Sequence, residues 1–142
     1  TQQSQDMATP RVQEEEPLAS IIAFSAFGRL PMRPVTDPEL DSVLAESAPG
    51  EVSILYLWGS RCADCDAVRT ALRSKPESFR WPGVRWLESD LRDDLRLATR
   101  FGLLGIPAFL IFAGRRPRGR ITGWPGVPTF TRLVGEQLQR LH

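Results

Sequence analysis

The feature that most constrains this chain is a short apolar segment followed at once by two cysteines at the start of a helical pattern. Residues Val52–Trp58 read VSILYLW, with apolar side chains on both faces, as expected of a strand in the middle of a sheet. After Gly59-Ser60-Arg61, the stretch from Cys62 to about Arg73 places its apolar residues along one helical stripe. The chain must therefore fold so that a buried strand leads directly into a helix, with both cysteines at the start of that helix.

The remaining patterns alternate between strand and helix. Asp37 as an N-cap and Pro38 at the first helical position predict a helix that ends near Pro49-Gly50. The later predicted elements are strand Val84–Ser89, helix Asp93–Phe101 carrying Leu95, strand Ala108–Phe112, turn Ala113–Gly119, strand Arg120–Trp124 and a closing helix through Phe130, Leu133, Val134, Leu138 and Leu141. This order predicts an α/β fold, in which a mixed sheet with its parallel part first is covered by helices on both faces.

The chain length and charge suit one globular domain with a local site. The chain has 142 residues, and its 18 basic and 17 acidic side chains leave a net charge of +1. So small a charge creates no global field for nucleic acid or an anionic membrane, and neither partner is expected. The longest apolar run, Leu18–Gly28, is shorter than the ~20 residues that cross a bilayer, so we expect no membrane span.

Three regions are predicted along the chain. Residues 1–17 are polar and are expected to form a disordered tail, and residues 18–34 an N-terminal extension that packs on the domain. The domain itself is assigned to residues 35–142. Because the chain opens at Thr1 without an initiator Met, we expect it to be processed or trimmed.

Four arginines, Arg115, Arg116, Arg118 and Arg120, are predicted on the tip of the last hairpin. We expect them to lie in solvent, at the end of the sheet opposite the cysteines. The alternative is a basic patch that docks an acidic partner or membrane headgroups in a salt-sensitive way.

The cysteine pair Cys62-Ala63-Asp64-Cys65 has one favoured interpretation, redox exchange, and three competing ones. Free N–H groups and aligned peptide dipoles at a helix start favour the thiolate of Cys62, which makes it the nucleophile of disulfide exchange, with Cys65 one turn inward to resolve the intermediate. Zinc would need four ligands, and the other strong candidate is His142, so no metal is expected. The pair could also form a purely structural disulfide or remain as two inert buried thiols.

The segment from Trp58 to Cys65 (WGSRCADC), followed by Gly105-Ile106-Pro107, resembles the thioredoxin-like family of thiol-disulfide oxidoreductases. The resemblance covers roughly Val35 to the C-terminus. It implies a thioredoxin fold and a cis peptide bond before Pro107, which would place the Ile106-Pro107 loop beside Cys62. There the backbone of the loop could pair with an extended substrate segment.

The resemblance also suggests the residues of the site. Cys62, Cys65 and Glu88 are the catalytic candidates, and Trp58, Arg61, Ile106, Pro107, Gly123 and Trp124 are the substrate-binding candidates. Four residues depart from thioredoxins: Ala63 and Asp64 replace Gly-Pro, Arg61 replaces a second Trp, and Tyr56 replaces a buried Asp that assists proton transfer to the resolving cysteine. Glu88 is the hypothetical substitute proton carrier, with a solvated edge carboxylate as the alternative.

The expected function is exchange of disulfides with protein substrates that bear a disulfide or a thiol, with electrons replenished by a separate redox protein or small thiol. No organic cofactor is required, and we expect a monomer. The alternative is a thioredoxin-like adaptor or assembly factor that holds client segments at the Pro107 groove with little redox turnover. The bacterial periplasm or envelope is the predicted location, with the cytoplasm as the alternative.

Overall fold

The computed structural model describes residues 30–141. Their elements are, in chain order, β1 (Arg33–Pro34), α1 (Asp37–Ala45), β2 (Val52–Trp58), α2 (Ala63–Ser74), a 3-10 helix (Pro76–Phe79), β3 (Val84–Asp90), α3 (Arg96–Arg100), β4 (Ala108–Ala113), β5 (Arg116–Thr122) and α4 (Val127–Leu141). The predicted tail 1–17 and residues 18–29 of the predicted extension lie outside the described residues. So does His142, the candidate zinc ligand.

The strands form a mixed sheet in the order β1-β3-β2-β4-β5. β2 runs parallel to β3 and to no other described strand, and it is antiparallel to β4, which forms a hairpin with β5. The predicted mixed sheet is therefore confirmed. β2 lies at its centre, so both of its edges are hydrogen-bonded and both of its faces are covered, as its continuous apolar sequence requires.

The alternation of side chains along β2 divides the core into two halves. Ile54 and Tyr56 face the half that is covered by α2 and α4, and Leu55 and Leu57 face the half that is covered by α1 and α3. All four side chains are fully buried. Helices thus lie on both faces of the sheet, and α2 is pressed onto it by the buried stripe Cys65, Val68, Ala71 and Leu72.

Residues 30–34 lie in the sheet and its core. Leu30 and Met32 are buried in the half-core beneath α2 and α4. Arg33 and Pro34 pair with β3 in parallel, and the N–H of Val35 continues the ladder by donating to the Glu88 carbonyl oxygen at 2.9 Å. The domain boundary at residue 35 stays a prediction.

The predicted start and end of the first helix were wrong. Thr36, in extended conformation, is the N-cap, and its backbone N–H donates to the Glu39 carboxylate at 3.0 Å. Asp37 is already helical. The helix ends at Ala45 because the chain then turns, with the Ser47 hydroxyl donating to the Leu44 carbonyl oxygen at 2.7 Å.

The third predicted helix was too long. It spans Arg96–Arg100 rather than 93–101, because the Asp94 carboxylate accepts the backbone N–H of Arg96 at 3.0 Å and holds the preceding residues in a turn. Leu95 is consequently 67% exposed instead of packed on the sheet.

The last hairpin also differs from its prediction. The turn consists of Gly114 and Arg115 alone, and β5 begins at Arg116, four residues before the predicted start. Arg116, Arg118 and Arg120 therefore lie exposed along an edge strand rather than together at the hairpin tip. Charged side chains on an edge strand hinder pairing with another sheet.

No helix between residues 30 and 141 is both long and apolar enough to cross a bilayer.

Candidate functional site

The sulfur of Cys62 lies at the N-terminus of α2. The three residues Gly59, Ser60 and Arg61 connect β2 to Cys62, which is the extended N-cap residue of the helix. The backbone N–H of Cys65 donates to the Cys62 sulfur at 3.1 Å. A sulfur that accepts an N–H in the first turn also lies at the positive end of the helix dipole. The position therefore favours negative charge on Cys62 when the pair is reduced.

The two cysteines are joined in a disulfide, and their Cα atoms are 5.1 Å apart. Cys62 is half-buried, whereas Cys65 is 1% exposed and belongs to the buried stripe of α2. An incoming sulfur can therefore reach Cys62 but not Cys65. This asymmetry matches an outer nucleophile and an inner resolving residue.

The loop between α3 and β4, which contains Ile106 and Pro107, lies against the disulfide. The carbonyl oxygen of Ile106 is 3.7 Å from the Cys62 sulfur, and the Ile106–Pro107 peptide bond is cis. The loop is held from behind, since the backbone N–H of Gly123 donates to the Pro107 carbonyl oxygen at 2.8 Å. A Cβ at Gly59 would lie 2.9 Å from the Ile106 side chain, so the chain before the cysteines approaches this loop closely.

Glu88 points into the protein beneath α2. It pairs with Tyr56 in the β2–β3 register, is 9% exposed, and accepts the indole N–H of Trp58 at 2.8 Å. Burial raises the pKa of Glu88, the Trp58 hydrogen bond opposes that rise, and the charges of Asp90 and Asp93 add to it. Of the two alternatives for this carboxyl group, the structure has the inward position and not the solvated edge. Its role in proton transfer stays a prediction.

Comparisons with known proteins bear on the fold. No model of a known protein family and no curated protein sequence matches the chain. Among 334 matching chains of solved structures is one from a study of the structural basis of the thiol resolving mechanism in yeast mitochondrial 1-Cys peroxiredoxin via glutathione/thioredoxin systems. It has a TM-score of 0.61 at 13% identity and covers 74% of this chain and 94% of that one.

The chain has a thioredoxin-like fold. The predicted fold class is thereby confirmed, and the cysteine pair of this thioredoxin-like domain stands where β2 meets α2. At 13% identity the likeness carries the fold and no residue's role.

Tyr56 occupies the core in this thioredoxin-like domain. Its side chain is fully buried and stacks on Phe109, with 5.1 Å between ring centroids. Burial raises the pKa of its hydroxyl well above the usual value, and the charges of Glu88 and Asp66 add to that rise, so Tyr56 carries no charge near neutrality. The contacts are those of a packing residue.

Two further candidates for substrate binding differ in their surroundings. Trp124 is partly buried, with its ring centroid 5.3 Å from that of Phe130 and 6.2 Å from that of Phe79. Arg61 is exposed, and among the described residues it alone combines a side chain other than hydrogen with a positive φ, of 54°. Trp124 thus belongs mainly to the aromatic core, and Arg61 is available to a partner.

Four arginines and Trp58 line one groove next to Cys62, an arrangement that the sequence did not indicate. A groove of about 340 Å³, here called the arginine groove, is lined by Trp58, Gly59, Ser60, Arg61, Asp66, Arg69, Arg73 and Arg92. These residues come from β2, the connection between β2 and α2, α2 itself and the segment after β3. The one available signal was the spacing of Arg69 and Arg73, which places them on successive turns of one helix face.

Leu104 is another residue that the sequence did not single out. It lies two residues before Ile106 and is fully exposed, which is unusual for so large an apolar side chain. The sequence feature that could have indicated it is the apolar pair Leu103-Leu104 directly before Gly105-Ile106-Pro107.

A larger groove, of about 560 Å³, lies elsewhere. It is lined mostly by apolar residues of segments 30–34 and 79–81 and of the first half of β3, and neither cysteine contributes to it. Among residues 30–141, no three His, Cys, Asp or Glu side chains are grouped so that they could hold a metal ion. The sulfur pair itself can support attack by a thiolate on a disulfide, followed by closure of the Cys62–Cys65 bond.

Proposed function

We propose that this thioredoxin-like protein is a thiol-disulfide oxidoreductase that exchanges disulfides with protein substrates. One observation carries the proposal: the accessible Cys62 sulfur accepts an N–H at the start of α2, is bonded to the buried Cys65, and faces the Ile106 carbonyl oxygen. A purely structural disulfide would not need a helix N-terminus beneath its outer sulfur.

The first step starts from the reduced pair. The Cys62 thiolate attacks one sulfur of a substrate disulfide, which forms a bond between Cys62 and that sulfur and breaks the substrate's S–S bond. The second substrate sulfur leaves as a thiolate and takes a proton from solvent. The N–H of Cys65 and the dipole of α2 stabilise the attacking thiolate.

The second step releases the substrate. Cys65 loses its proton and attacks the Cys62 sulfur, so the intramolecular disulfide forms and the bound substrate sulfur leaves as a thiolate. Two electrons have then passed from the cysteine pair to the substrate, and a separate dithiol or small thiol must return them. In this proposal Glu88 accepts the proton of Cys65. Burial raises the pKa of Glu88, which makes its carboxylate a stronger base than an exposed one.

The substrate segment is proposed to lie along the Ile106-Pro107 loop. The half-buried Ile106 offers apolar surface and a carbonyl oxygen next to the reacting sulfur, and Pro107 is held in place by Gly123. Trp58 and Arg61 flank the site on one side, and the exposed edge of Trp124 contributes on the other. An extended segment in this position would present its disulfide to Cys62.

An adaptor function is the second candidate, and the exposure of Leu104 favours it. A fully exposed leucine beside the Pro107 loop suits the holding of a client segment, with or without redox turnover. The proposed location stays the bacterial envelope.

Reduction of insulin or of a model peptide disulfide by the dithiol form separates the two candidates. We expect turnover by the wild type, none by Cys62→Ser, and wild-type turnover by Arg118→Gln, a change on the exposed edge strand. Turnover that survives loss of Cys62 contradicts the oxidoreductase. Client binding that persists when both cysteines are replaced by serine, with no turnover in the wild type, identifies the adaptor.

A further inference from the structure

The arginine groove opens beside the reacting sulfur. Ser60 and Arg61 line it. Arg61 directly precedes Cys62 in the chain, so the Cα atoms of Arg61 and Cys62 are about 3.8 Å apart. A segment that brings a disulfide to Cys62 therefore has neighbouring residues within reach of this groove, since an extended chain advances by roughly 3.3 Å per residue.

The groove has an excess of positive charge. Arg69 pairs with Asp66 at 3.0 Å, and Arg92 pairs with Asp90 at the end of β3. Arg61 and Arg73 form no ion pair with any residue of the described chain. Two guanidinium groups are thus left to attract an anion.

Two of the guanidinium groups are fixed by contacts of their own. The central carbons of Arg69 and Arg92 lie 5.3 and 5.1 Å from the centre of the Trp58 ring. Contact with the aromatic face orients both groups, which lowers the entropy lost when they bind a ligand. Trp58 is in turn held by its hydrogen bond to Glu88. Trp58, Arg69 and Arg92 are therefore oriented before a ligand arrives.

We propose that the arginine groove binds carboxylate side chains that flank the disulfide of a substrate, so that acidic segments are preferred over neutral and basic ones. This inference rests on the proposed function, because it concerns the substrates of the same site. Planar guanidinium groups match the two oxygens of a carboxylate. A volume of about 340 Å³ suits one or two side chains rather than a large cofactor.

The test is equilibrium binding of cysteine-free peptides to the full chain in its disulfide form. One peptide carries two Asp residues three and four positions from the place of the cysteine, and its partner carries Asn there. We expect the acidic peptide to bind about fivefold more tightly at low salt, because solvent-exposed ion pairs contribute only modestly to binding. The difference should shrink as salt approaches 0.5 M.

Arg73→Gln should at least halve the preference for the acidic peptide. Arg118→Gln is the matched control, since Arg118 is likewise exposed and forms no ion pair in the described chain, and it should leave the preference unchanged. Equal binding of the two peptides, or equal effects of the two substitutions, overturns the inference. Failure of the wild type to reduce cysteine-bearing versions of these peptides, with the binding preference intact, would instead count against the proposed function alone.

Discussion

The pair formed by Trp58 and Glu88 offers a sharp prediction about the site. The Trp58 indole donates at 2.8 Å to a carboxylate that is 9% exposed. Trp58→Phe removes the donor and leaves this carboxylate without that bond. Glu88→Gln keeps an acceptor oxygen for the indole and removes the charge.

The loss of stability on Trp58→Phe follows from the kind of hydrogen bond that is removed. A bond to a charged group contributes about 1.5–3 kcal/mol, and leaving its buried partner unsatisfied adds a penalty of similar origin. Trp58→Phe also loses apolar area and its contacts with Arg69 and Arg92, so a single variant cannot isolate the bond. A double-mutant cycle removes these common losses, and we expect a coupling energy of about 1–2 kcal/mol at pH 8.

The sign of the pH dependence follows from the raised pKa of Glu88. Because the folded state holds this proton more tightly than the unfolded chain, the stabilisation from Glu88 is complete below about pH 4.3 and is lost as pH rises through the folded-state value. Trp58→Phe removes the hydrogen bond that lowers this pKa, so the loss should continue to higher pH. Glu88→Gln should abolish this part of the pH dependence.

Urea denaturation of the disulfide form at pH 4 and pH 8, for the wild type, both single variants and the double variant, measures these quantities. We expect Trp58→Phe to cost more at pH 8 than at pH 4. An equal cost of Trp58→Phe in the wild type and in the Glu88→Gln variant would refute the reasoning.

Three further predictions concern the loop, the core and the mixed disulfide. Gly59→Ala should lower the free energy of unfolding by less than about 1 kcal/mol, because the added Cβ meets only the far end of the Ile106 side chain at 2.9 Å. By displacing that side chain, the same change should slow the reduction of insulin severalfold. An unchanged rate contradicts this role of the loop. Phe130→Ala should lower the free energy of unfolding in urea by about 3–5 kcal/mol, since the ring is fully buried 4.6 Å from its nearest aromatic neighbour, and a loss below about 1 kcal/mol would show that the core is packed differently. Cys65→Ser should trap a covalent complex between Cys62 and a substrate, visible on a non-reducing gel and absent in Cys62→Ser.

The central part of the fold was predictable because its sequence allows few other arrangements. VSILYLW is short, mainly apolar and rich in β-branched and aromatic residues, which favours a strand buried on both faces, and the bounds of β2 agree with the prediction to the residue. Thr36 and Asp37 are both good helix caps, so the choice between them depended on the reach of the Glu39 carboxylate. The predicted start of β5 lay too far along the chain because RPRGR lacks apolar alternation. Backbone pairing with β4 holds this segment as a strand.

The site was predictable only in part. Cys62 and Cys65 could be placed because strand, turn and helix are contiguous in the chain. The inward direction of Glu88 depends on the parallel register of β2 and β3, which no local pattern specifies. The arginine groove combines residues from three separate segments, and its assembly around Trp58 required the tertiary structure.

The most direct test of the account is the pH dependence of Cys62 alkylation in reduced Cys65→Ser, where Cys62 is the remaining cysteine of the chain. The account predicts a half-maximal rate well below pH 8.5, about the value at which an ordinary cysteine ionises. A midpoint at or above about pH 8.5, or no reaction near neutrality, would contradict the claim that the start of α2 activates this sulfur.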